Sequence, residues 1–496
     1  MAADFSLPLL VNGEPRECAP ADAHELRYET GARVLIPRLT PETAAEIHRA
    51  PAAALDHLDL DDITLFLNEV GALWADPRYP GRAEAVRVAS AVTGYSPQTL
   101  EEDYTRIART LTRAKLYDIV DADLGTSLAV DDWIPRQSVY VKARPKGRVL
   151  HLMVGNVPLA GLFTLVRSVL TKNTTVAKLP SRDPASCLYF AKAFHDVDPD
   201  HPITRSLSVV YWPGGSPAED EFIEDADLVC AWGQGASIAA VKKKIPIDTD
   251  FLEFGPKESL HFIGAPFGDV DNLAMRAAYD ISVYEQEACF SPQRMFVEGD
   301  AEEFANALAP WLDKLLVRLP VGFRSADRQA HLSRARVEAE FDGHTVVQGG
   351  NAQWTIVLMT GDGHGPYEHP LSRTIYIHPV KDLSDAVGEI HGQVQTIGVH
   401  PWSRARELAD ELTRAGADRV TEVGLMSRPR PGFTHDAKLP LHHFVRWVTL
   451  ERGLAHKGRF RDSDRGAFER KVFQGGRDLA GGPASGDGPA SGDGTG

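Results

Sequence analysis

Residues 147–180 read GRVLHLMVGNVPLAGLFTLVRSVLTKNTTVAKLP. Val149 to Val154 is a continuous apolar run of strand length. Pro158 to Leu170 reads as a helix whose proline suits the first turn, and Thr174 to Lys178 is again strand-like. Strand, helix and strand in about 30 residues make the repeating unit of a parallel sheet with helical crossovers. The rhythm continues downstream. Asp183 to Phe194, Pro217 to Glu224 and Ala236 to Lys243 read as helices, with strands at Leu207 to Trp212 and Leu228 to Trp232 between them. A second α/β unit begins near Glu253 and runs past Val423, its clearest strands being Arg294 to Val297, Trp354 to Met359 and Thr374 to Ile377.

Upstream, the chain is mainly helical to about residue 130 after a short extended start. Ile63, Phe66, Leu67, Val70, Leu73 and Trp74 recur at helical spacing, with Asp61 or Asp62 as a capping candidate. Ser96 and Pro97 open a second helix that carries Leu100, Tyr104, Ile107 and Leu111 on one face. The other end differs. After Gly475, GGRDLAGGPASGDGPASGDGTG repeats small and polar residues that have almost nothing to bury, and predicts a disordered tail.

A length of 496 residues predicts two or three domains. A formal charge of −16 argues against nucleic acid as a partner, because phosphate binding needs a basic face. Two local basic runs, Lys242 to Lys244 and a set from Arg452 to Lys471, read first as solvated surface. Cys18, Cys187, Cys230 and Cys289 lack metal-type spacing, and the amino terminus lacks a basic leader. The apolar stretch LAGLFTLVRSVL is broken by Arg167, well short of the roughly 20 residues that span a bilayer. A cytoplasmic chain with reduced thiols and no membrane span is expected. His435, His442 and His443 with Asp436 do not form a recognised ligand set, so no metal is expected.

Three motifs carry chemistry. Asn156 follows a parallel strand in GNVP, where α/β sheets place ligands, and its amide is a suitable oxyanion donor. Glu253 lies in FLEFGPKES. Cys289 lies in YEQEACFSPQRMFV, with one strand and one helix between it and Glu253, so that a carboxylate and a thiol can meet across a cleft. MVGNVPLAG, VAKLPSRD, VVYWPGG, LEFGPKES, DISVYEQEACFSPQ and HPLSRTIYI, with a weaker THDAKL, appear in that order. The set resembles the aldehyde dehydrogenase superfamily and, within it, the acyl-CoA reductases of bacterial luminescence (the LuxC type), over about residues 145–450.

The resemblance implies an aldehyde-dehydrogenase-like α/β fold, with a Rossmann-type cofactor domain at 131–252 and a catalytic α/β domain at 253–425. The mainly helical 1–130 precedes them, 426–475 returns to the cofactor domain, and 476–496 is the tail. It implies that Cys289 accepts an acyl group as a thioester and that Asn156 holds the thioester oxygen. Lys178 contacts the cofactor, Gly233 and Gly235 let the backbone approach it, and Glu368 stands roughly where the superfamily has a ribose-binding glutamate. Glu253 occupies the position of the superfamily's activating glutamate, which in a reductase either helps deprotonate Cys289 or is structural. Ser181 and Arg182 follow Lys178 where NAD-preferring relatives carry an acid, which favours NADPH.

The implied activity is reduction of an acyl-CoA or acyl-carrier-protein thioester to an aldehyde, with a possible acyl-transferring partner enzyme and a homo-oligomeric state. Lys242 to Lys244 are the candidate docking patch for an acidic carrier. The alternatives are an aldehyde dehydrogenase making acid or acyl thioester, and an inactive acyl-holding scaffold.

Overall fold

The computed structural model describes residues 3–137, 139–360 and 368–451. The basic set from Arg452 to Lys471 and the low-complexity tail lie outside the described residues. Two units separate: residues 1–131 with 143–446, and residues 132–142 with 447–496. Ile134–Arg136, Val139–Pro145 and Val445–Glu451 form a three-stranded sheet in the order Val445–Glu451, Val139–Pro145, Ile134–Arg136.

The first unit holds two seven-stranded sheets and a small three-stranded one. The first large sheet runs, edge to edge, through Asp250–Phe254, Leu228–Trp232, Arg148–Leu152, Thr174–Lys178, Leu207–Val210, Leu9–Val11 and Glu14–Arg16. Its first five strands are mutually parallel. The chain starts at Arg148–Leu152, builds outward through Thr174–Lys178 and Leu207–Val210, then returns to the other side with Leu228–Trp232. The topological switch point therefore lies between Arg148–Leu152 and Leu228–Trp232, where an open parallel sheet offers a crevice at its strand ends.

The extended start has a larger part than its length suggests. Leu9–Val11 pairs antiparallel with Leu207–Val210, so residues ahead of the helical region complete this sheet. Asp250–Phe254 also belongs to it, which carries the sheet past residue 252. Helices Leu60–Ala75, Pro80–Thr93 and Pro97–Thr110 pack over the crossover helix Ser186–Val197, with Trp74 edge-on to Phe190 and Tyr104 at 5.6 and 5.3 Å. The first of these is capped by Asp59, which accepts from the Asp62 N–H, rather than by Asp61 or Asp62. Ser96 caps the third by accepting from Thr99 N, with Pro97 at the first turn.

The second large sheet runs Thr345–Gly349, Trp354–Leu358, Thr374–Val380, Pro292–Glu298, Glu258–Ile263, Val394–His400 and Arg419–Glu422. All its pairings are parallel except the Thr345–Gly349 hairpin. Both faces are covered. Met295 and Val297 join Leu273, Phe304 and Leu308 on one side, while Phe296 joins Leu260, Leu408 and Leu412 on the other.

Only Gly255, Pro256 and Lys257 separate the end of Asp250–Phe254 from the start of Glu258–Ile263. The carboxyl ends of the first sheet thus open toward the amino ends of the second.

Candidate active site

Residues from those two sets of strand ends line a cavity of about 1920 Å³. That exceeds the 300–1,000 Å³ usual for one small ligand and leaves room for two. Met153, Asn156, Lys178, Trp232, Gly233, Phe254 and Gly255 come from the first sheet's carboxyl ends. Cys289, Gln293, Gln395 and Arg419 come from the amino ends of Pro292–Glu298, Val394–His400 and Arg419–Glu422.

Cys289 is held there by an unusual backbone. Tyr284, Glu285 and Gln286 have φ of 53°, 51° and 63°, a run of left-handed residues none of which is glycine. Each costs about 1–2 kcal/mol. A second run, Leu371, Ser372 and Arg373, has φ of 57°, 56° and 63°. The two runs are locked to one another. Ser372 N donates to Glu285 O at 2.8 Å, and Glu285 Oε1 accepts from Arg373 Nε and Nη2 at 2.8 and 2.6 Å. Arg324 Nη2 adds 2.8 Å to Glu285 Oε2 and 2.9 Å to Ser372 O. Gln286 Nε2 donates to Pro292 O and Thr374 O, both at 2.7 Å, while its Oε1 accepts from Thr374 N at 2.8 Å. Buried polar partners thus hold a strained turn in one conformation.

Glu287 extends the clamp to the first sheet. Its carboxylate accepts from Tyr95 Oη at 2.5 Å and Arg328 Nη2 at 2.9 Å, and pairs with Arg182. Its carbonyl accepts from Asn156 Nδ2 at 2.7 Å, and Tyr95 Oη, which has one proton to share between Glu287 and Asn156, also lies 2.7 Å from Asn156 O. One N–H of the Asn156 amide is thereby occupied, its plane is fixed, and the second N–H remains to donate. Gly155 lets this loop lie against residues 182–183, since a Cβ there would lie 2.7 Å from Asp183 N and 2.9 Å from Arg182 Cβ.

The thiol itself is half-buried. Burial pushes the Cys289 pKa up to about 11, and the Asp436 carboxylate acts in the same direction. The Gln395 amide and the N–H groups of Cys289 and Phe290 pull it down. Gln395 Nε2 also donates to Asp436 Oδ1 at 2.7 Å, so this amide contacts both thiol and carboxylate. Asp436 occupies a two-residue turn closed by paired His435 and Lys438, where Asp436 and Ala437 have φ of 48° and 59°. Burial raises its pKa too, against the Gln395 bond and the fields of Lys257 and Lys438. Arg419 brings a cation toward the thiol while its guanidinium donates to Met426 O and Leu425 O at 2.7 and 3.0 Å. Burial lowers its pKa to about 10, which leaves it charged at neutral pH.

On the other side of Asn156, Lys178 ends its strand half-buried, with the Tyr211 ring 5.8 Å away. Burial lowers its pKa and the field of Glu219 partly restores it. Ser181 lies within hydrogen-bond reach of Tyr211 Oη at 3.1 Å. A Cβ on Gly214 or Gly215 would meet nothing within 4 Å, so this edge presents bare backbone to the cavity.

Cys289, Asn156, Lys178, Ser181, Arg182 and Gly233 therefore share one cavity. Four expectations need correction. Gly235 is outside the lining, which takes Gln234 and Ser237 on either side of it. Glu253 is outside the lining: its carboxylate pairs with Lys242 at 3.1 Å, because Leu252 and Phe254 take the buried face of the strand. Arg182 lines the cavity but spends its guanidinium on Glu287, beside the thiol loop. Glu368 is exposed and outside the lining, and it follows residues 361–367, which are not described. Asp183 is outside the lining; buried, it accepts from Ala185 N and Ser186 N at the start of a helix.

Sequence reasoning missed Glu287, Gln395, Arg419 and the part played by Asp436. The last stood in THDAKL without a duty, and the others carried no local signal. His435 packs against Trp232 and Phe254 at 5.1 and 4.7 Å between centroids, and burial holds its pKa near 3, hence neutral.

Residues 55–447 match the family described as acyl-CoA reductase (LuxC). This chain belongs to that family. Two long-chain acyl-protein thioester reductases, from Aliivibrio fischeri and Vibrio harveyi, are each 35% identical to it, over 90% of this chain and 93% of theirs. Solved structures share the fold. The Pseudomonas aeruginosa aldehyde dehydrogenase KauB matches with a TM-score of 0.71 at 15% identity, covering 90% of this chain and 97% of its own. An Escherichia coli NADP-dependent enzyme gives 0.72 at 14% identity, covering 91% and 98%. The mixed α/β architecture is thus that of the aldehyde dehydrogenases.

Two predictions follow from the LuxC-family site. Glu285→Ala leaves the buried Arg373 guanidinium uncompensated and should destabilise the first unit by about 3–5 kcal/mol, read as a lower urea midpoint with unchanged slope. Asp436→Asn removes the anion beside the thiol. Iodoacetamide alkylation of Cys289 at pH 8 should therefore accelerate about two- to tenfold, while wild-type alkylation keeps rising beyond pH 9.

Proposed function

We propose that the chain uses Cys289 to accept an acyl group from an acyl thioester and releases it, after reduction with NADPH, as an aldehyde. The observation that carries this reading is the convergence on one cavity cysteine of a fixed Asn156 amide, backbone N–H groups and the strand ends of a dinucleotide-type sheet. The names of the relatives, long-chain acyl-protein thioester reductases, support the same activity and a protein-bound acyl donor.

The cavity fits the two ligands. Ala160, Phe163, Val166 and Leu170 of helix Pro158–Leu170, with Val157 just ahead of it, Ile119 and Phe290, form an apolar side suited to an acyl chain, with Arg167 beside it in the lining. Lys178, Ser181, Gly233 and the bare Gly214 and Gly215 form the side that would hold the nucleotide. Ser181 stands where an acid would repel a 2′-phosphate, and Asp183 is turned away into its helix start, so the preference for NADPH rests on Ser181 and Lys178 rather than Arg182.

Cys289 acts as thiolate. Its raised pKa makes a proton acceptor necessary; the Asp436 carboxylate beside the thiol takes that proton directly, while the Gln395 amide, a donor to both groups, orients the pair and stabilises the resulting thiolate. The thiolate attacks the thioester carbonyl, and the oxyanion is held by the free N–H of Asn156 and the N–H of Cys289. The donor thiol leaves, and Cys289 carries the acyl group. A bound dihydronicotinamide supplies the hydride for reduction at the acyl carbon. The same donors hold the thiohemiacetal oxygen, and its collapse returns Cys289 and the aldehyde. With Glu253 paired to Lys242 outside the cavity, that residue does not aim water at the acyl-enzyme, which favours reduction over acid formation.

Among the described residues no helix is long and apolar enough to cross a membrane. All four cysteines are free, which supports a reducing cytoplasm as its location. A homo-oligomer remains part of the proposal through family resemblance alone.

Palmitoyl-CoA with NADPH should give palmitaldehyde; palmitate as the main product would overturn the reading. Asn156→Ala should lower kcat about 10²–10³-fold with little change in cofactor affinity. Ser181→Asp should raise KM for NADPH at least about tenfold and leave NADH nearly unaffected. An equal rise for both would remove Ser181 from the 2′-phosphate.

A further inference from the structure

Charge on this acidic chain is unevenly compensated. The Lys242 to Lys244 run, the docking candidate read from sequence, is largely neutralised: Lys242 pairs with Glu253 at 3.1 Å, and Lys244 with Glu219 and Asp220, both at 2.8 Å. The cavity mouth is different. Arg109, Lys115, Arg428 and Arg430 line it, all four are exposed, and none has a carboxylate within ion-pair distance among the described residues.

These four belong to one surface. Lys115 Nζ donates to Arg109 O at 2.7 Å, and one turn before Arg109, Arg106 Nη1 donates to Ser427 O at 3.2 Å, directly ahead of Arg428. Further along, a Cβ on Gly432 would lie 3.0 Å from Ala122 Cβ, so residues 427–432 run beside helices Pro97–Thr110 and Arg113–Leu124. Of the acids lining the cavity beside this band, Glu101 pairs with Arg82, and Glu102 with Arg318 at 2.9 Å and Tyr279 at 2.7 Å, while Asp118 and Asp121 on the helix of Lys115 lie outside the lining. Arg428 rests over the Tyr279 ring at 4.9 Å, which leaves its charge uncompensated.

Building on the proposed thioester reduction, we infer that this band docks the acidic face of an acyl-bearing protein donor and guides its thioester to Cys289. Single-sign, uncompensated charge at a cavity mouth steers an oppositely charged partner and raises its encounter rate. The four cations are strung along two helices and a loop rather than converging on one point. A carboxylate-studded protein face matches that spread, whereas a small phosphate calls for convergent donors.

The test compares three palmitoyl thioesters: those of an acidic acyl carrier protein, of coenzyme A and of uncharged N-acetylcysteamine. The variants are Arg109→Glu with Lys115→Glu, and Arg428→Glu with Arg430→Glu; the glutamine versions serve where charge reversal impairs folding. KM for the carrier-protein thioester should rise about tenfold or more, and its salt dependence should flatten, with kcat kept. KM for the N-acetylcysteamine thioester should not move, which also certifies the fold. An equal loss with coenzyme A would make the band a phosphate subsite and overturn protein docking, as would no change in any arm. Should wild type make no aldehyde from any thioester, the reductase reading itself fails. Direct titration with the unacylated carrier protein then still decides the docking, because binding that is equal in wild type and variants contradicts it.

Discussion

Everything at the site depends on two left-handed turns being pressed together. Residues 284–286 and 371–373 each spend backbone energy that isolated chains do not sustain, and neither run contains a glycine to relieve it. The Glu285 carboxylate between Arg373 and Arg324 makes them stable as a pair, with Gln286 tying the first turn to Pro292 and Thr374. The consequence is positional. A chain that turned in the ordinary hand before Cys289 would enter the strand Pro292–Glu298 from another direction and leave the thiol elsewhere.

From that fixed point the geometry propagates outward. Glu287 collects Tyr95, Arg182, Arg328 and the Asn156 amide, and so couples the amino end of one sheet to the carboxyl end of the other. The short Gly255–Lys257 crossover keeps these strand ends close. An enzyme that must keep an acyl-thioester from water gains from such stiffness, because donors already in place need no reorganisation as charge develops.

Much of this was legible in local pattern. Pro158–Leu170, Thr174–Lys178, Pro217–Glu224 and Leu228–Trp232 follow their periodicities to the residue, since each has a strong turn or proline at its border. The strands Val394–His400 and Arg419–Glu422 escaped notice, and with them Gln395 and Arg419, whose approach to Cys289 is made by tertiary contact alone. Glu253 is instructive in another way. Order along the chain permitted it to face the thiol, yet strand alternation, with Leu252 and Phe254 apolar, already assigned it to the opposite side. Arg182 stood near the cofactor lysine in sequence, but a buried carboxylate on another element captured it.

The thiol environment combines opposing demands. Burial and Asp436 hold Cys289 protonated at rest, while Arg419, Gln395 and backbone N–H groups stand ready for negative charge on sulfur or oxygen. Cys187 and Cys230 are fully buried, and burial raises both. Cys18 is more open but lies outside the cavity lining, so the proposed acylation falls on Cys289. Intact-mass analysis after exposure to palmitoyl-CoA without reductant tests it most directly. The expected result is a gain of one palmitoyl group, mapped to Cys289, released by hydroxylamine and lost in Cys289→Ala. A hydroxylamine-labile adduct that persists in Cys289→Ala, or one that maps to Cys187 or Cys230, would contradict it.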